Sequence, residues 1–178
     1  MKLHIEIDSS EEGDPAGLST LSQKAAERNI DALASILSTE FAELYPEVDE
    51  RAGADAEGEV SVTFMTPQKI REVNKKYRGI DEATDVLSFP LWETDGVFAP
   101  EFFMPRFLPL GDVIICPSEA ERLCDMAPID AMCLMFAHGF LHLLAFDHDT
   151  QEREKVMWER QDELAKRLLA AINAGESL

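Results

Sequence analysis

Cysteine, histidine and positive charge are all scarce in this chain. Its 3 cysteines are odd in number and show no CxxC spacing. That excludes a disulfide framework and a cysteine-rich zinc site, and it suits a reducing cytoplasm. Its 16 lysines and arginines stand against 35 aspartates and glutamates, a formal net charge of −19. So acidic a balance argues against broad electrostatic capture of nucleic acid, which needs a basic surface. No long hydrophobic run is present either. The most apolar stretch, AMCLMFAHGFLHLLAF, is shorter than a membrane span, carries two histidines and is bounded by Asp130 and Asp147, so no spanning segment is expected. The opening residues MKLHIEIDSS have one lysine and no apolar h-region, so a secretory leader is not expected. Internal repeats are absent as well.

The 178 residues are enough to bury a real core, and no composition shift divides them, so a single domain over 1–178 is expected. Four segments read as strands: 3–7 and 59–64 alternate, while 85–90 and 111–116 are short β-rich runs. Spaced apolar residues predict a helix over 18–44, with a break near Asn29. Thr66 then caps a helix with Pro67 at its first position, ending at Gly79. A short helix follows 116, a strongly apolar and therefore buried one covers 130–144, and a charged amphipathic one runs from 151 to about 172. Strands and helices mix irregularly, which predicts an α+β fold: a small mixed sheet of about four strands flanked by helices.

Two segments stand out from this frame. Residues 67–79, PQKIREVNKKYRG, hold Lys69, Arg71, Lys75, Lys76 and Arg78 against the single acid Glu72. This basic island is either a solvated helix face or a phosphate-facing patch. Between the third and fourth strands lies LWETDGVFAPEFFMPRFLPL, read as a long structureless connection. Its aromatics, Phe102, Phe103 and Phe107, either pack on the body or form a substrate lid or base-stacking surface.

Three of the four histidines sit in HGFLHLLAFDH, residues 138–148. His138 and His142 are four apart on the buried helix, which puts both rings on one face with β-carbons ~5–6 Å apart. A turn after the helix could bring His148 to the same point. Three imidazoles buried without partners would be costly, and one cation satisfies them together. Three neutral nitrogens with an open position is the arrangement of catalytic zinc. Nickel or copper would also be accepted by such a set. A closed structural site needs a fourth ligand, and Cys133 lies on another helical face. The peptidase pattern HExxH puts a glutamate after the first histidine. Here that position is Gly139, which disfavours a glutamate-driven peptidase.

The spacing HxxxHxxxxxH resembles the signature HGxLHLxGYDH of the YbeY family of rRNA-maturation endoribonucleases. Ala145 stands where that family usually has Gly, and Phe146 where it usually has Tyr. Residues 74–90, NKKYRGIDEATDVLSFP, are similar to the family's N-x-x-Y-R…T-D-V-L-S-F-P segment, and residues 110–116, LGDVIIC, to its L-G-D-I-x-I segment, in the same order. The likeness covers roughly residues 59–165. The resemblance implies a metal-dependent, single-strand-specific endoribonuclease that matures ribosomal RNA, including the 16S 3′ end, and serves ribosome quality control. It implies a metallopeptidase-like metal-binding helix, one zinc ion per chain held by His138, His142 and His148, and Arg78 in the cleft.

Arg78 could clamp the charge that builds on phosphorus oxygens. Arg78 and His142 are the candidate catalytic residues, and Arg78, Lys75, Lys76 and Ser88 the candidate substrate-binding ones. No residue is singled out as general base: Asp147 reads as a carboxylate behind a histidine ring, and Asp85 and Asp112 as structural acids at strand starts. The expected partners are single-stranded pre-rRNA, small-subunit ribosomal proteins and assembly factors, in the cytoplasm and without a membrane. Two other readings compete with this one. One is a different zinc hydrolase; the other is a non-catalytic ribosome-assembly factor in which zinc only holds the fold.

Overall fold

The computed structural model describes residues 1–8, 18–53, 55–100 and 107–175. Strands β1 (Lys2–Asp8), β2 (Glu57–Phe64), β3 (Val86–Pro90), β4 (Glu93–Thr94), β5 (Val97–Phe98) and β6 (Phe107–Ile115) alternate with helices. Four of them form one mixed sheet in the order β1-β2-β6-β3. β1 and β6 both run parallel to β2, while β3 pairs antiparallel with β6 and forms an edge. β4 and β5 make a separate two-stranded hairpin. The fold is α+β, with the expected four-stranded mixed sheet.

A bulge in β6 decides what faces the core. The pairing passes from Glu59–Pro109 to Val60–Gly111, so Leu110 has no partner on β2. This extra residue shifts the alternation. Leu108 and Leu110 before it and Val113 and Ile115 after it therefore enter the same core. Gly111 makes the bulge possible. Its φ is +135°, and a β-carbon there would lie 2.2 Å from the Phe89 carbonyl oxygen.

Helices cover both faces. α1 (Leu18–Arg28), α2 (Ile30–Leu44), α3 (Pro46–Ala52), α4 (Pro67–Arg78), α5 (Pro117–Cys124), α6 (Pro128–Leu143) and α7 (Gln151–Gly175) follow in chain order. α6 packs on β3 and β6 and is flanked by α5 and α7, while α2 lies on β1 and against α7. α4 covers the other face, where Ile70 meets Leu87, Ile114 and Cys116. α2 and α7 are clamped by Glu40, buried at 4 % exposure, which accepts from Arg160 at 2.9 Å and Arg167 at 3.0 Å. Among the described residues no single helix is long and apolar enough to cross a membrane. The apolar α6 is a core helix.

The departures from expectation have local causes. The predicted break at Asn29 is present, and the Asn29 amide donates to the Ala25 carbonyl at 2.9 Å. Thr66 occupies the N-cap position of α4 with extended backbone but makes no side-chain cap bond, so Pro67 alone marks that helix start. The connection read as structureless is not: it holds the β4–β5 hairpin and the first residues of β6. The hairpin turns on Asp95 and Gly96, with φ of +52° and +75°, the conformation that Asp-Gly favours in two-residue turns. Phe107 opens β6 and is 43 % exposed, while Phe102 and Phe103 lie outside the described residues. Asp112 is paired inside β6 rather than placed at its start. The segment after Tyr45, to which the sequence assigned no element, contains α3, started by Pro46.

Candidate metal and RNA site

Gly139 sets how α6 sits on the sheet. A β-carbon at this position would come within 2.5 Å of Val113 Cγ1, so the helix reaches this distance from β6 only without a side chain. Position 139 therefore faces the sheet. A glutamate there could not serve a reaction at His138, which gives the absent peptidase glutamate a packing reason. His138 and His142, half-buried, occupy another face of the same helix.

The helix then ends in a reversal that returns His148. Phe146 N–H donates to the Leu141 carbonyl and Ala145 N–H to the His142 carbonyl, both at 3.1 Å. This paired arrangement needs a left-handed residue at Ala145, whose φ is +62°. The residue that departs from the family pattern thus sits where glycine would be unstrained. Two side chains brace the turn from outside. Tyr45 donates its hydroxyl to the Leu144 carbonyl at 2.6 Å, Arg153 reaches the Ala145 carbonyl at 3.4 Å, and Arg153 also pairs with Asp149 at 2.9 Å. Phe146, in place of the usual tyrosine, is half-buried against the core.

One ring nitrogen from each of His138, His142 and His148 lies within 4.8 Å of the others. The Nε2 atoms of His138 and His142 are 3.0 Å apart. Two nitrogens sharing a tetrahedral ion at ~2.0–2.1 Å each stand roughly 3.3 Å apart, so this pair is already near that spacing. His138 Nδ1 meets the Gln161 side-chain oxygen at 2.7 Å. Gln161 is only 9 % exposed and accepts a hydrogen bond from Nδ1–H, which leaves Nε2 with its lone pair toward the other histidines. Burial lowers the pKa of His138, and the Gln161 contact opposes that shift. Burial pushes the His142 imidazole down to about 4, with His138 and His148 adding to the effect. The donor set fits a divalent cation: neutral imidazoles, one with a fixed tautomer, converging on one point.

The three histidines line a cavity of about 290 Å³ together with Arg78, Thr84, Asp85, Ser88 and Asp147. A wider groove of about 970 Å³ between β1 and α2 contains no such cluster. Of the sequence-predicted residues, Arg78 and Ser88 are brought to the histidines. Arg78 is exposed and makes no ion pair or hydrogen bond among the described residues. Lys75 is not in this cavity. Asp81 binds both Lys75 and Arg71 at 2.8 Å, so two of the island's five cations are paired in place with one carboxylate, and these cations hold the Asp81 carboxyl below its usual range. Lys76 points elsewhere, lying 4.7 Å from the Tyr77 ring centre. Two acids in the cavity are tied by one oxygen each: Asp85 accepts from Val86 N–H at 2.9 Å, and Asp147 from His148 N–H at 2.8 Å. Asp147 therefore holds backbone, and the ring-holding contact comes from Gln161, which the sequence reading missed. The nearest signal was an uncharged polar residue on the apolar stripe of α7, beside Leu164 and Leu168.

The three cysteines are free thiols, and burial pushes Cys133 up to about 12, so it is a poor nucleophile.

A family model described as Endoribonuclease YbeY matches residues 21–169. Among curated proteins, the Endoribonuclease YbeY of Shouchella clausii is 41 % identical over 137 residues, which span 72 % of this chain and 86 % of that protein. The Endoribonuclease YbeY of Lysinibacillus sphaericus is 44 % identical over 115 residues, 62 % of this chain and 72 % of that one. The solution structure of the Thermotoga maritima protein TM1509 has the same fold, with a TM-score of 0.54 at 23 % identity over 97 % of this chain and 92 % of that chain.

Proposed function

This chain belongs to the endoribonuclease YbeY family, and on that premise we propose that it is a zinc-dependent, single-strand-specific endoribonuclease. Its substrate is ribosomal RNA precursor, with the 16S 3′ end as the processing site, and it serves ribosome quality control in the cytoplasm beside small-subunit proteins and assembly factors. Residues 1–178 work as one hydrolase domain. The observation that carries this reading is the convergence of three imidazoles on a cavity that also receives an arginine with no partner among the described residues.

His138, His142 and His148 are the proposed ligands of one zinc ion. When bound, the ion supplies Lewis-acid charge at a phosphoryl oxygen and acidifies water beside it. The rest of the work falls to the chain. Gln161 keeps the His138 proton on Nδ1. Among the described residues Arg78 has no partner to give up, so its guanidinium can grip two phosphoryl oxygens as their charge grows. Ser88 offers a hydroxyl at the cavity wall. Asp85 and Asp147, each anchored to backbone, keep negative charge beside the imidazoles. Lys75 and Lys76 lie outside the cavity.

The test is cleavage of a labelled single-stranded RNA by wild type, His142→Ala and Arg78→Ala purified identically. Wild type should cut, a chelator should stop it, and folded Arg78→Ala should lose about 10²–10³ in kcat/KM. Equal cutting by all three would expose a contaminant. A zinc-loaded wild type that never cuts would hand the site to an assembly role.

A further inference from the structure

The cleft does not end at Arg78. A second groove, of about 490 Å³, lies on the α4 side of the sheet and is lined by Lys76, Tyr77, Phe89, Asp112 and Glu72 among others. Consecutive residues face the two hollows. Arg78 and Ser88 line the histidine cavity, while their neighbours Tyr77 and Phe89 line this groove. The two hollows therefore lie on opposite sides of the edge strand β3, whose successive residues face opposite ways.

This groove has what an unpaired base needs. Tyr77 is 59 % exposed, far more than a packing aromatic requires. Its ring stands 5.1 Å from that of Phe89 at an interplanar angle of 68°, so the two form a corner rather than a closed stack. Lys76 rests on the Tyr77 ring at 4.7 Å. An exposed cation–π contact of this kind is weaker than a stacked base, so a base can displace the ammonium toward a phosphate. Glu72 and Asp112 are exposed and pair with no cation among the described residues. Two free carboxylates would weaken a site meant for phosphate alone. Toward a base they are acceptors that suit an exocyclic amino group. Uracil offers only an N3–H flanked by two carbonyl oxygens, which a carboxylate repels.

We infer that the Tyr77–Phe89–Lys76 groove is a base-stacking subsite for the nucleotide next to the scissile phosphate, and that it prefers an amino-bearing base (adenine, cytosine or guanine) over uracil. This inference rests on the endoribonuclease reading and deepens it. Arg78 holds the phosphate on one side of β3, and the adjoining base turns over the edge to stack on Tyr77. Separating reading from scanning in this way lets an acidic protein choose where to cut with few phosphate contacts.

The test uses the zinc-loaded full chain and single-stranded RNA oligonucleotides that carry one 2-aminopurine, moved position by position across the cut. Wild type and Tyr77→Phe should quench the fluorophore at one position beside the scissile phosphate, and Tyr77→Leu should not. Tyr77→Leu should raise KM about tenfold with kcat within about twofold, and Tyr77→Phe should stay within about twofold of wild type in both. Uracil at that position should raise the wild-type KM severalfold. Melting temperature and zinc content, measured for each variant, guard against a merely misfolded protein. If wild type cuts but Tyr77→Leu keeps its KM and its quenching, the subsite is overturned while the nuclease reading survives. A loss of kcat shared by Tyr77→Phe and Tyr77→Leu would mean that Tyr77 only positions Arg78, which also overturns it. A wild type that cleaves no RNA overturns both.

Discussion

Single atoms carry much of the behaviour expected at the histidine cluster. The Gln161 oxygen is a neutral acceptor behind His138. A carboxylate in its place would make the imidazole more basic and bring one more negative charge toward an anionic substrate. Gln161→Glu is therefore expected to hold zinc at least as tightly and bind RNA more weakly. Gln161→Leu should lose roughly 10–100-fold in zinc affinity, measured by competition with a chromophoric chelator. Equal zinc affinity in wild type and Gln161→Leu would show that the contact does not orient the ring. Ala145 gives a stability prediction. Its φ of +62° is strained for any residue with a β-carbon. Ala145→Gly should gain up to about 1 kcal/mol in chemical denaturation after the extra entropy of glycine in the unfolded chain is deducted. His142 gives a pH prediction for the metal-free protein. Its imidazole is held down to about 4 from an ordinary 6.5. The unfolded chain takes up the proton first, so the stability this group lends is complete above about pH 6.5 and fades as pH falls toward 4. The melting temperature should fall through that window, and less steeply for His142→Gln. Parallel curves for the two proteins would sink the assignment.

Helices and strands decide whether these atoms meet. α7 delivers Gln161, and its rotation is fixed one residue earlier by Arg160 and two turns later by Arg167, both on buried Glu40. Glu40→Leu would strand two arginines that are each partly exposed. It should cost about 2–3 kcal/mol, below the cost of breaking a fully buried pair, and should loosen zinc as well. Unchanged zinc affinity in a destabilised Glu40→Leu would separate the clamp from the site. At this scale the sequence was informative where period and local chemistry agree. His138 and His142 could be placed on one helix face by counting four residues, and the Asn29 break could be read from a polar residue inside an apolar pattern. The β4–β5 hairpin was hidden although Asp95–Gly96 is a strong turn signal, because its strands are only two residues each and show no alternation. The length of β6 was hidden by the Leu110 bulge, which breaks the period that would have revealed it. Gln161 was illegible for another reason: it meets His138 across 23 residues, and no local pattern carries a contact of that range.

The whole molecule sets the reach of electrostatics. A net charge of −19 surrounds a cleft whose nearby cations are few, with Arg71 and Lys75 already spent on Asp81. RNA affinity should therefore depend only gently on salt, with a log–log slope of about −2 for two or three phosphates met along a single strand. A slope steeper than about −5 would require a phosphate track and would overturn this picture. The three histidines share little sequence: residues 138–148 supply all of them. Because the segment is only eleven residues long, bringing its imidazoles together in the unfolded chain costs little loop-closure entropy. A cation can then be captured by the nascent or denatured chain, weakly, before the sheet exists. Zinc should thus stabilise the native state by less than its native affinity alone predicts, because the unfolded chain competes for the same ion. In return, early capture would pre-form the reversal at Ala145 and give α6 a nucleus on which to close.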